Sequence, residues 1–559
     1  MSAEATAIDR KRVWHMMTID KRNYSLAVQE EEITVFRNGE RYFDLPIRSA
    51  VPADGKQDVD EEWLALEQQG MDLVFSTKSS LWDKKEYRLR CGETTFTYHV
   101  KVYGKGKPDG VRYFSGRRSN PKDGVRYETS GYFWPVSIIS HEHHEYTMAE
   151  PNDITSIYFV PPLFVYPFCL DEGQDWFGLG LIGNKGDYTF DHFQYIPGQN
   201  RFCLATDFYG NHWVDGEWEL PGILGCPGNT EWEVLKSYSD WHYSDGGCKP
   251  RVRNHEPRWW YGPFFCGWGE QMAMGGNVYD RANQEDYTRM SRQLDELGLK
   301  PTAIIIDDKW QKQYGTALPD LDKWPNLCEF AEQEHQKGRK VVLWFKCWSA
   351  EGLDADECLS VWSQPVAADP TSPKYQERLK RTIYKLLSSE DGCYNCDGFK
   401  IDFANCLPVG VPVQAHEPGV YGVEMIRRLF QIIFDESKKV KPDALINCSC
   451  AHPYFAEVVD QARLHDYNMT QRCIQRTMIF RKRIYETVMP GVILDTDSAG
   501  YGSRRAAMSY MRLAPTLGVP DLYRLSSTQE AALTQKDWEE IRAIWEAYSA
   551  RVDQRYREK

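Results

Sequence analysis

No long hydrophobic run, no excess of positive charge and no paired-cysteine framework mark this chain of 559 residues. Its longest apolar stretch, 157–170, carries Pro161, Pro162 and Pro167 and is too short to span a bilayer. The first residues, MSAEATAIDRKRVWHMMTIDKR, lack the apolar core of a secretory signal. Lys and Arg number 67 against 81 Asp and Glu, a net charge of −14. Nucleic-acid binding, which needs a basic face to neutralise phosphates, is therefore not expected. Fifteen cysteines are an odd number, and most sit inside apolar segments. That usage fits a reduced, cytoplasmic protein better than a disulfide scaffold. Cys393-x-x-Cys396 has no second pair at ribbon spacing, and neither HExxH nor GxSxG occurs. There is no internal repeat and no low-complexity segment. No metal or cofactor is expected; a homo-oligomer remains open.

Present instead are 19 Trp and 32 Tyr, within an aromatic share of 13%. Such rings pack on the C–H faces of sugars and also fill large β cores. The rhythm of the chain divides it in two. Residues 1–250 carry short runs rich in Val, Ile, Thr, Tyr and Phe: ITVFR, YRLRC, TFTYHVKVY, DITSIYFV, WFGLGLI, YTFDHFQYI, RFCLATDFYG and WEVLKSY. Gly, Pro, Asn and Asp clusters separate them, the pattern of an antiparallel β-sandwich. Residues 251–559 alternate short apolar runs with helical patterns. The runs are PFFCGW (263–268), TAIIID (302–307), KVVLWF (340–345), GFKIDF (398–403), ALINCS (444–449), ARLHD (462–466), GVILDT (491–496) and DLYRL (521–525). A helical pattern comes after each, and RVDQRYREK closes the chain as a solvated tail. Eight βα units in about 300 residues predict an α/β (β/α)8 barrel, with an open doubly wound sheet as the alternative. No Gly-rich phosphate loop comes after the first strand of that series, which disfavours the alternative.

The C-terminal strand ends of such a barrel form its working face. Carboxylates gather there: Asp307 and Asp308 after strand 2, Asp402 in strand 4, Asp466 after strand 6, Asp495 and Asp497 at strand 7. A lone Asp after a strand often caps the next helix. Four strands bearing one are harder to explain as caps. Paired carboxylates across a cleft are what glycoside hydrolysis requires: one protonates the leaving oxygen, and the other attacks the anomeric carbon or activates water. Lys400 shares a strand face with Asp402, two residues away, where its charge favours the ionised carboxylate.

The motifs GFKIDF, AIIIDDKWQ and VVLWF resemble the strand-4, strand-2 and strand-3 signatures, respectively, of clan D glycoside hydrolases, the α-galactosidase group. The preceding β-sandwich is similar to that of glycoside hydrolase family 36. The resemblance implies an exo-acting retaining α-glycosidase with Asp402 as nucleophile and Asp466 as acid/base; Asp497 or Asp495 is the rival acid. It implies that Asp307 and Asp308 read the 4- and 6-hydroxyls of a galactose-like sugar. Trp310, Trp344, Trp268 and Trp348 are candidate pocket walls, and Arg463 either holds a sugar hydroxyl or pairs with an Asp. Departures from the family pattern are Lys309 in place of glycine, Lys346 and Cys347 after strand 3, and Cys448-Ser449-Cys450 after strand 5. The added cations, with Arg504 and Arg505, suggest either an anionic sugar substituent or solvated loops. The other readings kept open are a different neutral α-glycoside, a transglycosylase and a barrel that only binds carbohydrate.

Overall fold

The computed structural model describes residues 17–29, 32–115, 128–129, 164–171, 174–190, 192–198, 201–251, 256–404, 407, 411–450, 452–464, 474–497, 503–526 and 532–558. The N-terminal half is antiparallel. Four strands, Met17–Asp20, Ser25–Gln29, Glu32–Arg37 and Glu40–Pro46, form one sheet in sequential order. A nine-stranded sheet runs from Asp60–Gln69 at one edge to Glu128–Thr129 at the other, with Gly222–Gly228 inside it. Alternation decides which face is buried: in Glu32–Arg37, Ile33 and Val35 are fully buried, while Glu32, Thr34 and Phe36 between them are half-exposed. The two sheets meet through aromatic edges, with Phe43 at 5.2 Å from Phe168 and 5.0 Å from Phe177.

Two N-terminal expectations change, and a third falls on residues that are not described. WEVLKSY is not a strand but part of a helix, Glu231–Ser244. Thr230 caps it by accepting from the Glu233 amide, and Glu233 reaches back to the Asn229 amide at 2.7 Å. This capping pattern outweighs the β preference of Trp, Val and Tyr. YTFDHFQYI becomes a strand only from Gln194. Its earlier carbonyls, on Tyr188 and Phe190, instead accept the Glu424 and Val423 amides at the start of helix Gly422–Val440. DITSIYFV lies outside the described residues.

The second half is the eight-stranded parallel barrel. Its strands are Phe264–Cys266, Ala303–Ile306, Lys340–Phe345, Gly398–Ile401, Leu445–Cys448, Gln461–Arg463, Ile493–Asp495 and Asp521–Leu522. The eighth pairs with the first through Phe264 and Asp521, and a parallel bridge between Asp495 and Val519 brings the seventh to the approach of the eighth. All eight apolar runs therefore contain strands. Strand 5 departs from the βα pattern: the short connection to strand 6 holds no α-helix, and Pro453–Val458 forms a 3-10 turn there. The C-terminal segment departs too. It is largely exposed but continues helix Gln535–Glu558, where Asp553 pairs with Arg258 at 2.6 Å. Cys393 and Cys396 are both free and buried, and no group of metal-ligating side chains occurs among the described residues. No helix among them is long and apolar enough to cross a membrane.

Candidate active site

The strand-end residues converge through the geometry of the barrel itself. Trp344 on strand 3 and Lys400 on strand 4 are register partners, so both project inward at one level, and Asp402 stands one layer higher. The Asp402 carboxylate accepts from the Trp344 indole at 2.8 Å on one oxygen. Its other oxygen accepts from Arg463 at 2.9 Å and from the Phe403 amide at 3.2 Å. Burial pushes the Asp402 carboxyl up, and the Arg463 guanidinium opposes that rise. Trp348 fixes the strand from outside by donating to the Asp402 carbonyl at 2.9 Å.

Beneath this carboxylate lies a second charged pair. The Lys400 ammonium reaches Asp307 at 3.0 Å and the Tyr523 hydroxyl at 3.1 Å. Burial works against its charge, yet Asp307, Cys266 and Asp497 together hold it well above the ordinary lysine range. The Cys266 thiol donates to Asp307 at 3.0 Å. Asp497 joins the two systems: it accepts from Arg463 at 3.0 Å and from the Tyr523 hydroxyl, and stands 4.0 Å from Lys400. Asp495, two residues earlier, is bound by the Asn447 amide at 2.9 Å; burial, with Asp497 beside it, pushes its carboxyl up to about 6.

Asp308 occupies the rim. It accepts from the Tyr314 hydroxyl at 2.8 Å. Burial pushes its carboxyl up to about 7, against the pull of Tyr314, Lys346 and Lys309, while Asp307 adds to the rise. Lys309 sits 3.6 Å from the Tyr314 ring centre and is paired with Glu351 at 3.1 Å. The Lys346 ammonium lies over three rings, 4.7 Å from Tyr314, 5.0 Å from Trp348 and 5.6 Å from Phe403.

The structure thus brings together Asp307, Asp308, Lys400, Asp402, Arg463, Trp344 and Lys346. Trp310 stands behind them: it is fully buried and donates its indole N–H to the Trp344 carbonyl at 2.7 Å. Cys448 is buried against Cys450, whose amide donates to its sulfur at 3.5 Å. Trp268 begins the short helix after strand 1 and lies 6.3 Å from Tyr279. Arg504 is occupied elsewhere, in a two-pronged bond with Asp537 at 2.6 and 2.7 Å. Asp466 lies outside the described residues. Sequence reasoning missed Tyr314 and Tyr523. The second falls within the run DLYRL, and its position at a strand end was the available signal.

No protein-family model and no curated protein matches the chain. Solved structures do. A GH31 family sulfoquinovosidase from E. rectale superposes with a TM-score of 0.57 at 12% identity, over 94% of this chain and 82% of that one. A GH36 α-galactosidase from Geobacillus stearothermophilus gives 0.51 at 12% identity, over 98% and 86%. A protein from Listeria monocytogenes in complex with glucose gives 0.55 at 12% identity; it covers 94% of this chain, which spans only 58% of that longer one. These neighbours share the architecture of this chain, a (β/α)8 barrel preceded by antiparallel β-sheets.

Proposed function

We propose that the protein is a retaining α-glycosidase that removes a terminal sugar through a covalent glycosyl-enzyme on Asp402. The observation that carries this reading is the setting of that carboxylate. A carboxylate offers about four acceptor sites. Trp344, Arg463 and the Phe403 amide fill three of them, which leaves one lone pair for the anomeric carbon. Arg463 favours the ionised, nucleophilic form, and the buried surroundings strip it of water. In the first step a carboxylate oxygen forms a bond to the anomeric carbon while the glycosidic C–O bond breaks. A second carboxyl gives its proton to the departing oxygen. In the next step the same group takes a proton from water, whose oxygen displaces Asp402 with net retention.

Asp466 is our choice for that acid/base. Asp497 is less suited: it is fully buried, and its two oxygens are taken by Arg463 and Tyr523. Asp307 and Asp308 are assigned to sugar hydroxyls, with Lys400 fixing Asp307. Epimers are told apart here because the wrong one leaves buried acceptors unpaired. Trp344, itself fully buried, is assigned to holding the Asp402 carboxylate in place. We divide the chain near residue 250 into a sandwich and a catalytic barrel, each with its own sheet topology.

A second reading concerns the sugar. Lys346 rests on aromatic faces at the rim, near Asp308, and supports an anionic substituent in place of a neutral hydroxymethyl group. The solved E. rectale neighbour is a sulfoquinovosidase, and the Geobacillus neighbour an α-galactosidase, so both sugar types are tested.

The experiment is release of nitrophenol from aryl α- and β-glycosides, including galactoside, glucoside, N-acetylgalactosaminide and sulfoquinovoside. One α-glycoside is expected to turn over with retention, and Asp402→Asn to lower the rate by about a thousandfold or more. Turnover that survives Asp402→Asn would overturn the nucleophile assignment. Lys346→Ala discriminates the sugars. It spares a neutral glycoside but costs an anionic one about tenfold or more in kcat/KM, the scale of one charged hydrogen bond.

A further inference from the structure

A cleft of about 370 Å³ lies outside the barrel, on the open face of the nine-stranded sheet. We infer that it is a second binding site, for a neutral oligosaccharide, formed where the sheet, helix Glu231–Ser244 and the segment 183–187 meet. The choice of a sugar rests on the glycosidase reading; the cleft itself does not. Its size falls within the range of small-molecule sites, which favour such junctions.

The floor is made by residues of the sheet. Gly222 has no side chain, and a Cβ there would stand 2.7 Å from the His99 ring, so glycine is what makes room for the imidazole. One wall is Trp241, half-buried near the end of the helix. The opposite side carries Asn184 and Asp187. That segment is anchored onto the barrel: the Gly186 amide donates to Tyr454 at 3.0 Å, and Tyr188 stacks on Tyr454 at 3.9 Å between ring centres.

The charges select the ligand. Arg90 is held by both oxygens of Asp72, at 2.7 and 2.8 Å, and Arg88 bonds Glu86 at 3.4 Å and lies 3.7 Å from Asp72. Burial lowers the His99 pKa and so favours the neutral ring, while Glu219 at 3.7 Å opposes that shift. Asp187, Glu219 and Asp245 add carboxylates to the lining. With both guanidiniums paired to Asp72 and Glu86, the three carboxylates of the lining disfavour an anion. What remains is the Trp241 indole beside N–H donors and carboxylate acceptors, groups that suit a sugar ring with vicinal hydroxyls.

The test uses full-length protein carrying Asp402→Asn, so that bound sugar is not consumed, and measures stoichiometry and affinity by calorimetry for raffinose, stachyose and maltopentaose. Two sites per chain are expected for at least one of them. Trp241→Ala should remove one site or weaken it by tenfold or more. Asn184→Trp, which changes an exposed side chain at the cleft mouth, should do the same by filling it. In an otherwise wild-type chain both changes should leave kcat/KM for the aryl glycoside untouched, and that turnover reports the glycosidase reading independently. A single site in the parent, or two sites that survive both substitutions, would overturn the cleft as a sugar site.

Discussion

Two buried lysines, one in each half of the chain, do different work. Lys85, on the nine-stranded sheet, is wholly inaccessible between Asp58 and Asp60, with Asp60 at 2.7 Å and the Ser49 carbonyl also at 2.7 Å. Asp60 accepts further from Tyr87 at 2.8 Å and Thr77 at 2.9 Å, and Asp58 from the Val51 amide at 2.7 Å and from Ser79. Every charge is met by its own neighbours. Lys400 is set almost as deeply, on Asp307 and Tyr523, but its network continues through Asp497 and Arg463 to Asp402. The Asp402 side chain keeps 11% of its surface open. A closed network repays desolvation with hydrogen bonds and fixes the strands around it. An open one, in the proposed function, keeps a charged edge free for substrate and holds it in place before substrate arrives.

The contrast breaks most visibly when each lysine is replaced by methionine. Removing one partner of a buried pair costs about 3–5 kcal/mol, so both variants should melt earlier. Lys85→Met should nevertheless leave kcat/KM per folded molecule unchanged. Lys400→Met should lower it by about a hundredfold, because Asp307, which the proposed function places at the sugar, loses its orienting charge. Thermal melts and kinetics on the folded fraction check this; equal losses of kcat/KM in the two variants would abolish the distinction.

Asp308 sharpens the comparison through pH. Its folded pKa of about 7 lies above the ordinary carboxylate value of about 4. The folded state therefore binds this proton more tightly than the unfolded chain. Its contribution to stability is complete below about pH 4, declines as pH rises to about 7, and is level beyond. The total is on the order of 2–4 kcal/mol. Asp308→Asn should erase that slope, so wild type should lose more melting temperature than the variant between pH 5 and pH 8. Parallel curves would show that Asp308 titrates like an exposed acid.

Legibility in the sequence divides along the same line. The barrel strands were readable because each is a short apolar run bounded by turns, and the runs mark all eight. Lys400 and Asp402 were readable because alternation puts them on one face. Arg463 was readable as a partner of an Asp, but which Asp was not: it joins Asp402 across 61 positions, and Tyr523 meets Lys400 across 123, separations that no local pattern encodes. WEVLKSY misleads because its Trp, Val and Tyr favour strands, whereas the deciding signal is the polar cap formed by Thr230 and Glu233. Trp310 reads as a pocket wall in the sequence, and the structure buries it behind Trp344 as a support.

Tyr314 gives the finest test of the open network, because it holds the rim without carrying charge. Its hydroxyl donates to Asp308 at 2.8 Å, and its ring lies under Lys309 and Lys346. Tyr314→Phe removes the hydrogen bond and keeps the ring, so the lysines retain their platform. That bond favours ionised Asp308, and its loss should raise the Asp308 pKa above about 7. If ionised Asp308 accepts a sugar hydroxyl, the rise of kcat/KM with pH should move upward, by roughly one unit or less. At pH 9, where Asp308 is ionised in both proteins, the rates should converge to within a few-fold. A loss that is constant from pH 5 to pH 9 would instead mean that Tyr314 touches the substrate itself, and the rim would then belong to the binding surface as well as to its support.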